Sequence, residues 1–404
     1  MKIVQINAVY GKSSTGRTCS ELSDALRAEG HEIYTAYGSG YYNSPYTYRI
    51  GSDIEVKLHA FFSRVTGLQG YCSLNGTKKL LRYMDSIDPD IVHLRNLHAN
   101  YINLKMLFNY LCEKNIATVI TLHDCWFFTG KCTHYEMDRC YKWKNGCNHC
   151  KKLKNDIPSW FFDRTQKMWL DKKRFFDFIP RLAVIGVSDW ITNETRESLL
   201  KNASIIRRIY NWIDLDVFYP RKSDIKRKYN IPENKFIILS VSSSWDEKSD
   251  RFMDALTLST LINDDMRLVL IGRGLNKGDL PDNIICIDYI ESKTELASMY
   301  STVDVYVHLS REDTFGKVVA EAMACGTPAI VYNTTALPEL IGENCGYIVE
   351  CGNMLSLFKA ICLIKSSKKE SYSKNCRLFV KENFEKNKLI KETEILYEDI
   401  LSKK

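Results

Sequence analysis

Several features that would place this chain outside the ordinary globular proteins are missing from its sequence. Its 404 residues include only nine Pro and twenty Gly, too few for a low-complexity or collagen-like chain. An apolar share of 45% with a net charge of only +7 excludes an intrinsically disordered chain. No stretch approaches the roughly 20 continuous apolar residues that a membrane-spanning helix needs. The length suffices for about two to four domains, each with a core of its own.

The first residues also lack the long apolar segment and the small-residue cleavage site of a signal peptide. We therefore predict that they form the first strand, and we expect a soluble, cytoplasmic protein. The fourteen Cys are then expected to be mainly reduced and buried. The mild excess of positive charge is compatible with anionic ligands or an anionic membrane surface. No nucleic-acid partner is expected from it.

Short apolar runs alternate with helical patterns along the chain, which is typical of parallel sheets with crossover helices. The sequence therefore predicts an α/β protein with two Rossmann-like domains whose parallel sheets face an interdomain cleft. The predicted bounds are 1–205 for the first domain, with a Cys-rich insertion at 125–155, and 206–382 for the second. An amphipathic helix is predicted at 383–404. Among the individual elements we predict strands at Lys2–Ala8, His31–Tyr37, Asp90–Leu94, Ala117–Leu122, Leu182–Val187, Phe236–Val241, Arg267–Ile271, Ile284–Ile287, Val303–His308 and Ala329–Tyr332, and a helix at Glu21–Glu29.

The stretch from Ser310 to Pro328 is the most informative one, because it follows a predicted strand and opens a helix that ends in Gly-Thr-Pro. Asp313 or Thr314 is predicted as its N-cap, which leaves the N–H groups near Phe315–Val318 free to face a diphosphate. Glu321 lies on the same helix among apolar residues, where a carboxylate is seldom buried without a partner. Two such acids can hold hydroxyls at opposite ends of a nucleotide-sugar. The alternative is an ordinary capped helix with a solvated Glu.

Two histidines follow predicted strands of the first domain. His98 comes after one strand, and His123 with its neighbour Asp124 comes after the next. A His beside an Asp at a strand end can bind or orient sugar hydroxyls. The alternative is a satisfied, partly buried His.

Two Gly-rich turns suggest other nucleotide chemistry. Gly11–Thr18 has the spacing of a P-loop, but Arg17 replaces the Lys, which counts against a nucleotide kinase. Gly272–Gly278 is an imperfect dinucleotide fingerprint whose third Gly comes one residue late. An NAD(P)-binding oxidoreductase on a double Rossmann frame is therefore the alternative function.

The insertion contains a dense group of cysteines, which are Cys132, Cys140, Cys147 and Cys150. Four Cys can hold a structural zinc ion in a tetrahedral site, although only the last pair has the spacing of a zinc knuckle. Disulfides or buried thiols are the alternatives, and a zinc-containing binding module is a further alternative function. The neighbouring basic residues can contact anionic lipid or nucleic acid, but a solvated face is the favoured interpretation; they are Lys142, Lys144, Lys151, Lys152 and Lys154, with Trp143 among them.

The Ser310–Pro328 stretch resembles the Glu-x7-Glu signature of glycosyltransferase family 4, retaining enzymes of the GT-B fold. Asp313 stands where the first Glu is usual, with Glu312 just before it. Asn211–Pro220 is similar to the interdomain segment of that family, with Trp212 in place of a Gly. The resemblance extends over essentially the whole chain, and it implies that the last helix crosses back to the first domain.

The resemblance implies a hexosyltransferase-type enzyme that moves a sugar from a nucleotide-sugar donor, with retention of configuration and without a catalytic metal. The implied acceptor is a saccharide or a lipid-linked saccharide of bacterial surface-polysaccharide biosynthesis, of the colanic acid, capsule or O-antigen type. Such an acceptor is consistent with peripheral contact at the inner face of the membrane.

The site residues follow from the same resemblance. His123, Asp313 and Glu321 are the expected catalytic residues, and His98 and Asp124 are expected on the acceptor side. Lys248 matches the Lys of a phosphate-binding Arg–Lys pair, but Ser243 stands at the position of the Arg; Arg273 or Arg251 is expected to compensate. The expected donor-binding residues are Gly16, Lys248, Arg273, Thr314, Phe315, Gly316, Lys317 and Glu321.

Overall fold

A computed structural model describes residues 1–42, 44–275, 278 and 280–403 of the chain. It divides the chain into two compact units. Unit 1 contains Met1–Ile209 and the chain from Leu389 onward, and unit 2 contains Tyr210–Lys388. Positions 276 and 277 of the Gly272–Gly278 turn lie outside the described residues. In the described part of the chain, no helix is both long and apolar enough to cross a membrane.

Unit 1 is built on a seven-stranded sheet with helices in all but one of the connections between successive strands. Its strands are β1 (Lys2–Val9), β2 (Glu32–Ser39), β3 (Thr47–Arg49), β4 (Ile91–Leu94), β5 (Ala117–Leu122), β6 (Leu182–Gly186) and β7 (Ile205–Arg208). Its helices are α1 (Ser13–Ala28), α2 (Asp53–Thr66), α3 (Leu74–Ile87), α4 (Leu104–Glu113), α5 (Thr165–Phe178), α6 (Asp189–Glu197) and most of α13 (Lys386–Ser402).

The strands of this sheet lie in the order β3-β2-β1-β4-β5-β6-β7, and all recorded pairings are parallel. The central strands are almost entirely apolar and buried because helices cover both faces of such a sheet. The chain direction across the sheet reverses at β1. The carboxyl ends of β1, β4 and β5 therefore lie beside one another at the position where open α/β sheets bind ligands.

The last helix completes unit 1. On α13, Tyr397 is fully buried, and its hydroxyl lies 2.6 Å from Nδ1 of His93 on β4. Glu394 of the same helix lies 2.9 Å from Nε2 of His31, and Asp399 forms a 2.6 Å ion pair with Arg207. One apolar helix face with polar contacts along its edges fixes the end of the chain to residues near its beginning.

Unit 2 is built on a six-stranded sheet. Its strands are β8 (Phe236–Ser244), β9 (Met266–Arg273), β10 (Ile284–Ile287), β11 (Val305–His308), β12 (Ala329–Tyr332) and β13 (Gly346–Val349). Its helices are α7 (Ile225–Lys228), α8 (Asp250–Leu261), α9 (Lys293–Thr302), α10 (Lys317–Ala324), α11 (Met354–Ser367) and α12 (Glu370–Phe384).

The strand order is β10-β9-β8-β11-β12-β13, again with parallel pairings. The first half of unit 2 winds from β8 to β10, and the chain then returns to the other side of β8 to form β11. Strand order thus reverses between β8 and β11. The crevice at their carboxyl ends is the topological switch point, where a nucleotide is expected to bind in a sheet of this kind.

Candidate active site

The loop between β11 and α10 is organised by Asp313. Its Oδ1 atom accepts hydrogen bonds from the N–H groups of Phe315, at 3.2 Å, and Gly316, at 2.9 Å. Its Oδ2 atom lies 3.3 Å from Nε2 of His308, the last residue of β11. The N–H of Asp313 donates to the hydroxyl of Thr335. These contacts orient the Asp313 carboxyl group at the end of the strand next to the switch point.

This arrangement corrects two details of the sequence prediction. The N-cap of α10 is Gly316, with a φ of 86°, and neither Asp313 nor Thr314. The N–H groups of Phe315 and Gly316 are engaged by Asp313, so they are not free to face an anion. The physical reason is the short Asp side chain, which bonds to the backbone two or three residues further on and forms an Asx turn.

The predicted donor residues of this loop differ in what their side chains can offer. The Phe315 ring is 2% exposed and packs edge-on against Phe384, with ring centroids 5.2 Å apart. Thr314 is also buried, whereas Lys317 is half-buried at the first position of α10. Phe315 therefore anchors the loop in the core of unit 2 and offers no side-chain group to a ligand.

Glu321 lies within α10 and is 9% exposed, so it is a buried carboxylate on a helix whose other residues, after Lys317 at its first position, are apolar. It and Asp313 both contribute, after burial, to raising the pKa of the Tyr306 hydroxyl, and the nearby Arg251 opposes them. The charges of the two acids and of the guanidinium thus all act on the same hydroxyl of β11. The sequence prediction that Glu321 is buried holds in the structure.

Arg251 is the cation at the switch point. It lies in the first turn of α8, and its Nη2 atom donates to the Ser310 hydroxyl, 2.8 Å away, just beyond β11. Its Nη1 atom donates to the Ser242 hydroxyl near the end of β8. Among the described residues, no carboxylate lies within ion-pair distance of it. A half-buried guanidinium with only hydroxyl partners retains an uncompensated positive charge, which suits an anionic ligand.

Lys248 and Arg273 lie on the loops that flank this crevice. The Lys248 side chain is exposed, and its N–H donates to Asp246 at 3.0 Å. Arg273 ends β9, and its guanidinium lies 4.1 Å from the centroid of the Tyr289 ring. Both cations are in unit 2, as the donor-binding prediction requires, but neither bridges β8 and β11 as Arg251 does.

In unit 1, the expected catalytic residue His123 immediately follows β5. Its Nε2 atom lies 3.2 Å from Nη1 of Arg95, a buried residue that follows β4. The Nε atom of Arg95 donates to Gln5 on β1, at 3.0 Å. Arg95 is always a donor, so Nε2 of His123 must accept, and the imidazole carries its proton on Nδ1 as a neutral ring. The three adjacent strands thus fix one tautomer of His123.

The acceptor-side prediction places His98 and Asp124 together, and the structure brings them within hydrogen-bonding distance. Nε2 of His98 lies 2.9 Å from Oδ2 of Asp124, whose Oδ1 accepts from the N–H of Trp126 at 2.8 Å. Burial opposes the charge on the imidazole, but Asp124 outweighs it and raises the pKa of His98 above its usual value. The pKa of Asp124 is lowered, because His98 and the Trp126 N–H overcome the effect of burial. His98 and Asp124 thus form a hydrogen-bonded couple, and Asp124 is the chain neighbour of His123.

Gly16, the remaining predicted donor residue, lies in the first turn of α1. A Cβ atom there would stand 3.0 Å from Cγ2 of Val9 and 3.2 Å from its carbonyl oxygen. The N–H of Gly11 donates to the Gly16 carbonyl oxygen at 3.0 Å. The absence of a side chain lets α1 start directly against the end of β1.

The cysteines of the insertion form one close pair. The Sγ atoms of Cys132 and Cys150 are 3.9 Å apart, and the hydrogen bond from Cys132 lowers the pKa of Cys150 to about 7. Cys147 accepts from the N–H of Gly130 at 3.1 Å. Across residues 1–42, 44–275, 278 and 280–403, no three His, Cys, Asp or Glu side chains are grouped to hold a metal ion. The zinc site therefore stays a prediction.

The prediction for the basic face of the insertion is wrong for its aromatic residue, Trp143. Trp143 is 1% exposed and packs against Phe128, with ring centroids 4.9 Å apart. Lys144 and Lys152 form ion pairs with Glu197 and Asp138. Because Trp143 belongs to the core of the insertion, it cannot contact a lipid surface.

Two residues of this site depend on three-dimensional proximity that the sequence does not display. Arg251 is eight positions from the Ser243 that replaces the expected Arg, and only the packing of α8 brings it to the switch point. Arg95 stands within the His93–His98 segment, where a His is common in the resembling family. In both cases the sequence differs from the family pattern at or near a position where that pattern has a basic residue.

Comparison with known proteins places these observations in a family. The sequence profile described as Glycosyltransferase Family 4 matches residues 15–217, and that described as Glycosyl transferases group 1 matches residues 221–379. The chain is 29% identical over 233 residues to N-acetyl-alpha-D-glucosaminyl L-malate synthase of Bacillus anthracis, which covers 54% of this chain and 60% of that protein. It is 23% identical over 377 residues to a protein of Escherichia coli K12 named as the colanic acid biosynthesis glycosyl transferase WcaC, covering 88% and 89%. The chain thus spans less than two thirds of the first relative and nearly all of the second.

A solved structure shows the same architecture. Sucrose-phosphate synthase from Thermosynechococcus elongatus has a TM-score of 0.73 and 18% identity over 100% of both chains, and at that identity the likeness concerns the fold alone. Two Rossmann-like units with parallel sheets define the GT-B class. The chain belongs to glycosyltransferase family 4. Neither the matched profiles nor these relatives support an NAD(P)-binding oxidoreductase or a zinc-containing binding module.

Proposed function

We propose that this protein transfers a sugar from a nucleotide-sugar donor to a saccharide or lipid-linked acceptor in bacterial surface-polysaccharide biosynthesis, in the cytoplasm at the inner face of the membrane. One observation carries the proposal. The guanidinium of Arg251 lies at the switch point of unit 2 with no carboxylate within ion-pair distance among the described residues, and the acids Asp313 and Glu321 lie on the adjoining β11–α10 segment. A nucleotide-sugar requires a cation that binds its diphosphate and carboxylates that accept hydrogen bonds from its sugar hydroxyls.

The donor half of the proposal uses unit 2. The diphosphate meets Arg251 and Lys248, with Lys317 at the positive end of the α10 dipole. Asp313 accepts hydrogen bonds from the transferred sugar, and Glu321 accepts them from the ribose. When the glycosidic bond to the diphosphate breaks, negative charge grows on the leaving phosphate, and preorganised cations stabilise that charge in the transition state.

The acceptor half uses unit 1. The neutral His123 ring, held by Arg95, orients hydroxyls at the reacting sugar, and the His98–Asp124 couple binds the acceptor. We propose a front-face displacement with retention: the acceptor hydroxyl forms the new glycosidic bond on the face that the phosphate leaves, and its proton passes to the departing phosphate oxygen. No metal takes part in these steps. The similarity to WcaC over most of the chain supports a polysaccharide acceptor.

A donor screen tests the proposal. Thermal-shift and hydrolysis measurements over UDP-, GDP- and ADP-sugars are expected to show one donor class that raises Tm and releases its nucleoside diphosphate. The Glu321→Gln variant, with nearly the same volume but no charge, is expected to weaken both responses. Stabilisation by nicotinamide dinucleotides, or by no nucleotide-sugar at all, would contradict the proposal.

The cysteines of the insertion carry a separate proposal, a structural zinc ion. The 3.9 Å separation of Cys132 and Cys150 is close to the edge of a tetrahedral zinc–thiolate site, about 3.8 Å for Zn–S bonds of about 2.3 Å. Cys140 and Cys147 would need to turn toward this pair. Metal analysis of the reduced protein is expected to find zinc that Cys150→Ser loses. An equal metal content in both proteins would overturn the proposal.

A further inference from the structure

Helix α2 turns polar side chains toward the interior of unit 1 and apolar side chains toward the surface. The side chains that it buries are the polar ones of His59 and Ser63. His59 contacts the hydroxyl of Ser73 at 2.8 Å and accepts from the N–H of Gly70, and Ser63 donates to Asn100. A surface helix ordinarily buries its apolar stripe and exposes its polar one.

The outward side of α2 is apolar and continues into the segment around position 160. We call this surface the aromatic face; it consists of Leu58, Phe61, Phe62, Trp160, Phe161 and Phe162, which are between 41% and 69% exposed. Ile54, one turn before Leu58, is 71% exposed on the same helix. Single exposed apolar residues are normal on a protein surface, but a contiguous group of large rings marks an interaction site.

The rings of the aromatic face are held in place. Phe61 and Trp160 meet edge-on, with centroids 6.0 Å apart, and Phe61 and Phe62 do so at 5.7 Å. The Trp160 N–H donates to the carbonyl oxygen of Arg64 at 2.6 Å, which fixes the segment to the end of α2. The Ser159 hydroxyl donates to the carbonyl oxygen of Phe162 at 2.7 Å. The face is thus a preorganised surface and not a loose tail.

Positive charge surrounds these rings. The cationic side chains are Lys57 and Arg64 on α2 and Lys154 and Arg164 beside the aromatic segment, and in the described chain none has a carboxylate within ion-pair distance. Arg164 lies 5.4 Å from the centroid of the Phe162 ring. The adjacent acid, Asp163, is exposed, and its carboxylate accepts hydrogen bonds from the N–H groups of Cys150, at 2.7 Å, and Thr165, at 2.9 Å.

We infer that the aromatic face binds the surface of an anionic lipid bilayer. Its rings would enter the headgroup region while the four cations contact lipid phosphates, as in other amphipathic interfacial surfaces. A second copy of the chain fits less well, because a two-fold interface would press the same cationic rim against itself. This inference rests on the membrane location in the proposed function and names the surface that binds there. The binding needs neither a sugar donor nor an acceptor, so its failure would leave the proposed transfer reaction standing.

Vesicle sedimentation with the full chain tests this inference. We expect the protein to bind vesicles of phosphatidylcholine mixed with phosphatidylglycerol, to bind pure phosphatidylcholine weakly, and to be released by salt. The triple variant Phe61→Ser, Trp160→Ser and Phe161→Ser is expected to lose at least roughly tenfold in affinity. Leu355→Ser with Leu363→Ser serves as the matched control on α11, since these side chains are 64% and 50% exposed. Circular dichroism and Tm show whether each variant is folded.

Tryptophan fluorescence adds a local measurement, because Trp160 is the most exposed tryptophan among the described residues. Brominated lipids are expected to quench its emission on binding, and Trp160→Phe is expected to lose that quenching while still binding. Equal affinity for charged and neutral vesicles would overturn the inference, as would equal binding by the wild-type chain and the triple variant. A wild-type dimer that the triple variant converts to a monomer would identify a protein interface instead.

Discussion

The Arg251 guanidinium and the Ser310 hydroxyl are joined by a 2.8 Å hydrogen bond across the switch point of unit 2. The second bond of Arg251, to Ser242, ties the same guanidinium to the neighbouring strand β8. Hydroxyl partners position a guanidinium without neutralising it, and at least two of its five N–H donors remain for a ligand. We therefore propose that Arg251 on α8 takes the place of the phosphate-binding Arg that the family pattern has at Ser243.

Replacing Arg251 tests that role. Arg251→Ala is expected to raise the KM for the donor at least ~10-fold, equivalent to about 1.4 kcal/mol, because a charged contact to the diphosphate is lost. Arg251→Lys should recover only part of this, since an ammonium cannot reproduce the two-pronged guanidinium geometry. Steady-state kinetics with the donor identified by the screen measures both. Arg227→Ala, an exposed residue of α7, is the control and should leave KM unchanged; a wild-type KM in Arg251→Ala would remove Arg251 from the site.

Glu321 gives a second prediction. Glu321→Gln keeps the shape of the side chain but weakens its hydrogen bonds to the ribose hydroxyls. We therefore expect kcat/KM to fall, with a loss of transition-state stabilisation of about 1.5–3 kcal/mol. Glu233→Gln alters an exposed acid of unit 2 and should have no effect. Donor titration followed by product analysis separates binding from turnover. Unchanged kcat/KM in Glu321→Gln would show that the buried acid has only a structural role.

Gly316 and Gly30 form a matched pair for stability. Both have a φ of 86°. A Cβ atom added at Gly316 would lie 2.9 Å from Cδ1 of Leu340, whereas a Cβ atom added at Gly30 would have no neighbouring atom within 4 Å. Gly30→Ala is expected to cost about 1 kcal/mol for left-handed backbone alone. Gly316→Ala adds the contact with Leu340 and should cost about 1–3 kcal/mol more. Urea denaturation measures the free energy of unfolding of both variants. Equal decreases would show that the loop before α10 can accommodate a Cβ atom without destabilising the fold.

His59 predicts how stability depends on pH. Its Nε2 atom accepts from the Gly70 N–H, so Nδ1 carries the proton and the buried ring is neutral, and burial lowers its pKa to about 4. Between pH 4 and about 6.5, the unfolded chain binds a proton that the folded chain does not. Stability should therefore fall as pH falls through this window, by up to about 3 kcal/mol, and should not change from this group above it.

Urea midpoints measured from pH 8 to pH 4 test the His59 prediction. His59→Gln can make both hydrogen bonds without titrating, so its pH dependence should be flatter. His149, an exposed residue of the insertion, provides the control substitution His149→Gln. A profile for His59→Gln as steep as that of the wild-type chain would assign the pH dependence to other groups.

The central strands could be predicted from sequence because burial on both faces leaves a continuous apolar run. Ala117–Leu122 and Ala329–Tyr332 begin and end where the sequence placed them, and so does the edge strand Ile284–Ile287, which keeps an apolar run although it is only partly buried. The edge strands β3 and β7 were not predicted, because their residues are only half-buried and show no such run. The second edge strand of unit 2, β13, is half-exposed in the same way and was also missed.

Helix α1 shows a different reason for error. It begins at Ser13, eight residues before the predicted start at Glu21, because its first turn is Gly- and Ser-rich and contacts β1 by close backbone approach. Helix α2 was not predicted, since its apolar residues face outward and its buried ones are polar. Motifs located the acids Asp313 and Glu321, but the bonds of Asp313 to Phe315 and Gly316 depend on a loop conformation that no spacing rule specifies.

The contacts of α13 affect the order in which the protein can mature on the ribosome. His93 and His31 are translated early, yet their partners Tyr397 and Glu394 emerge only after all of unit 2 has been made. Unit 2 can therefore close while unit 1 still exposes the surface that α13 will cover. Nascent chains stalled just before residue 389 should accordingly bind chaperones through their first half, although that half was synthesised first.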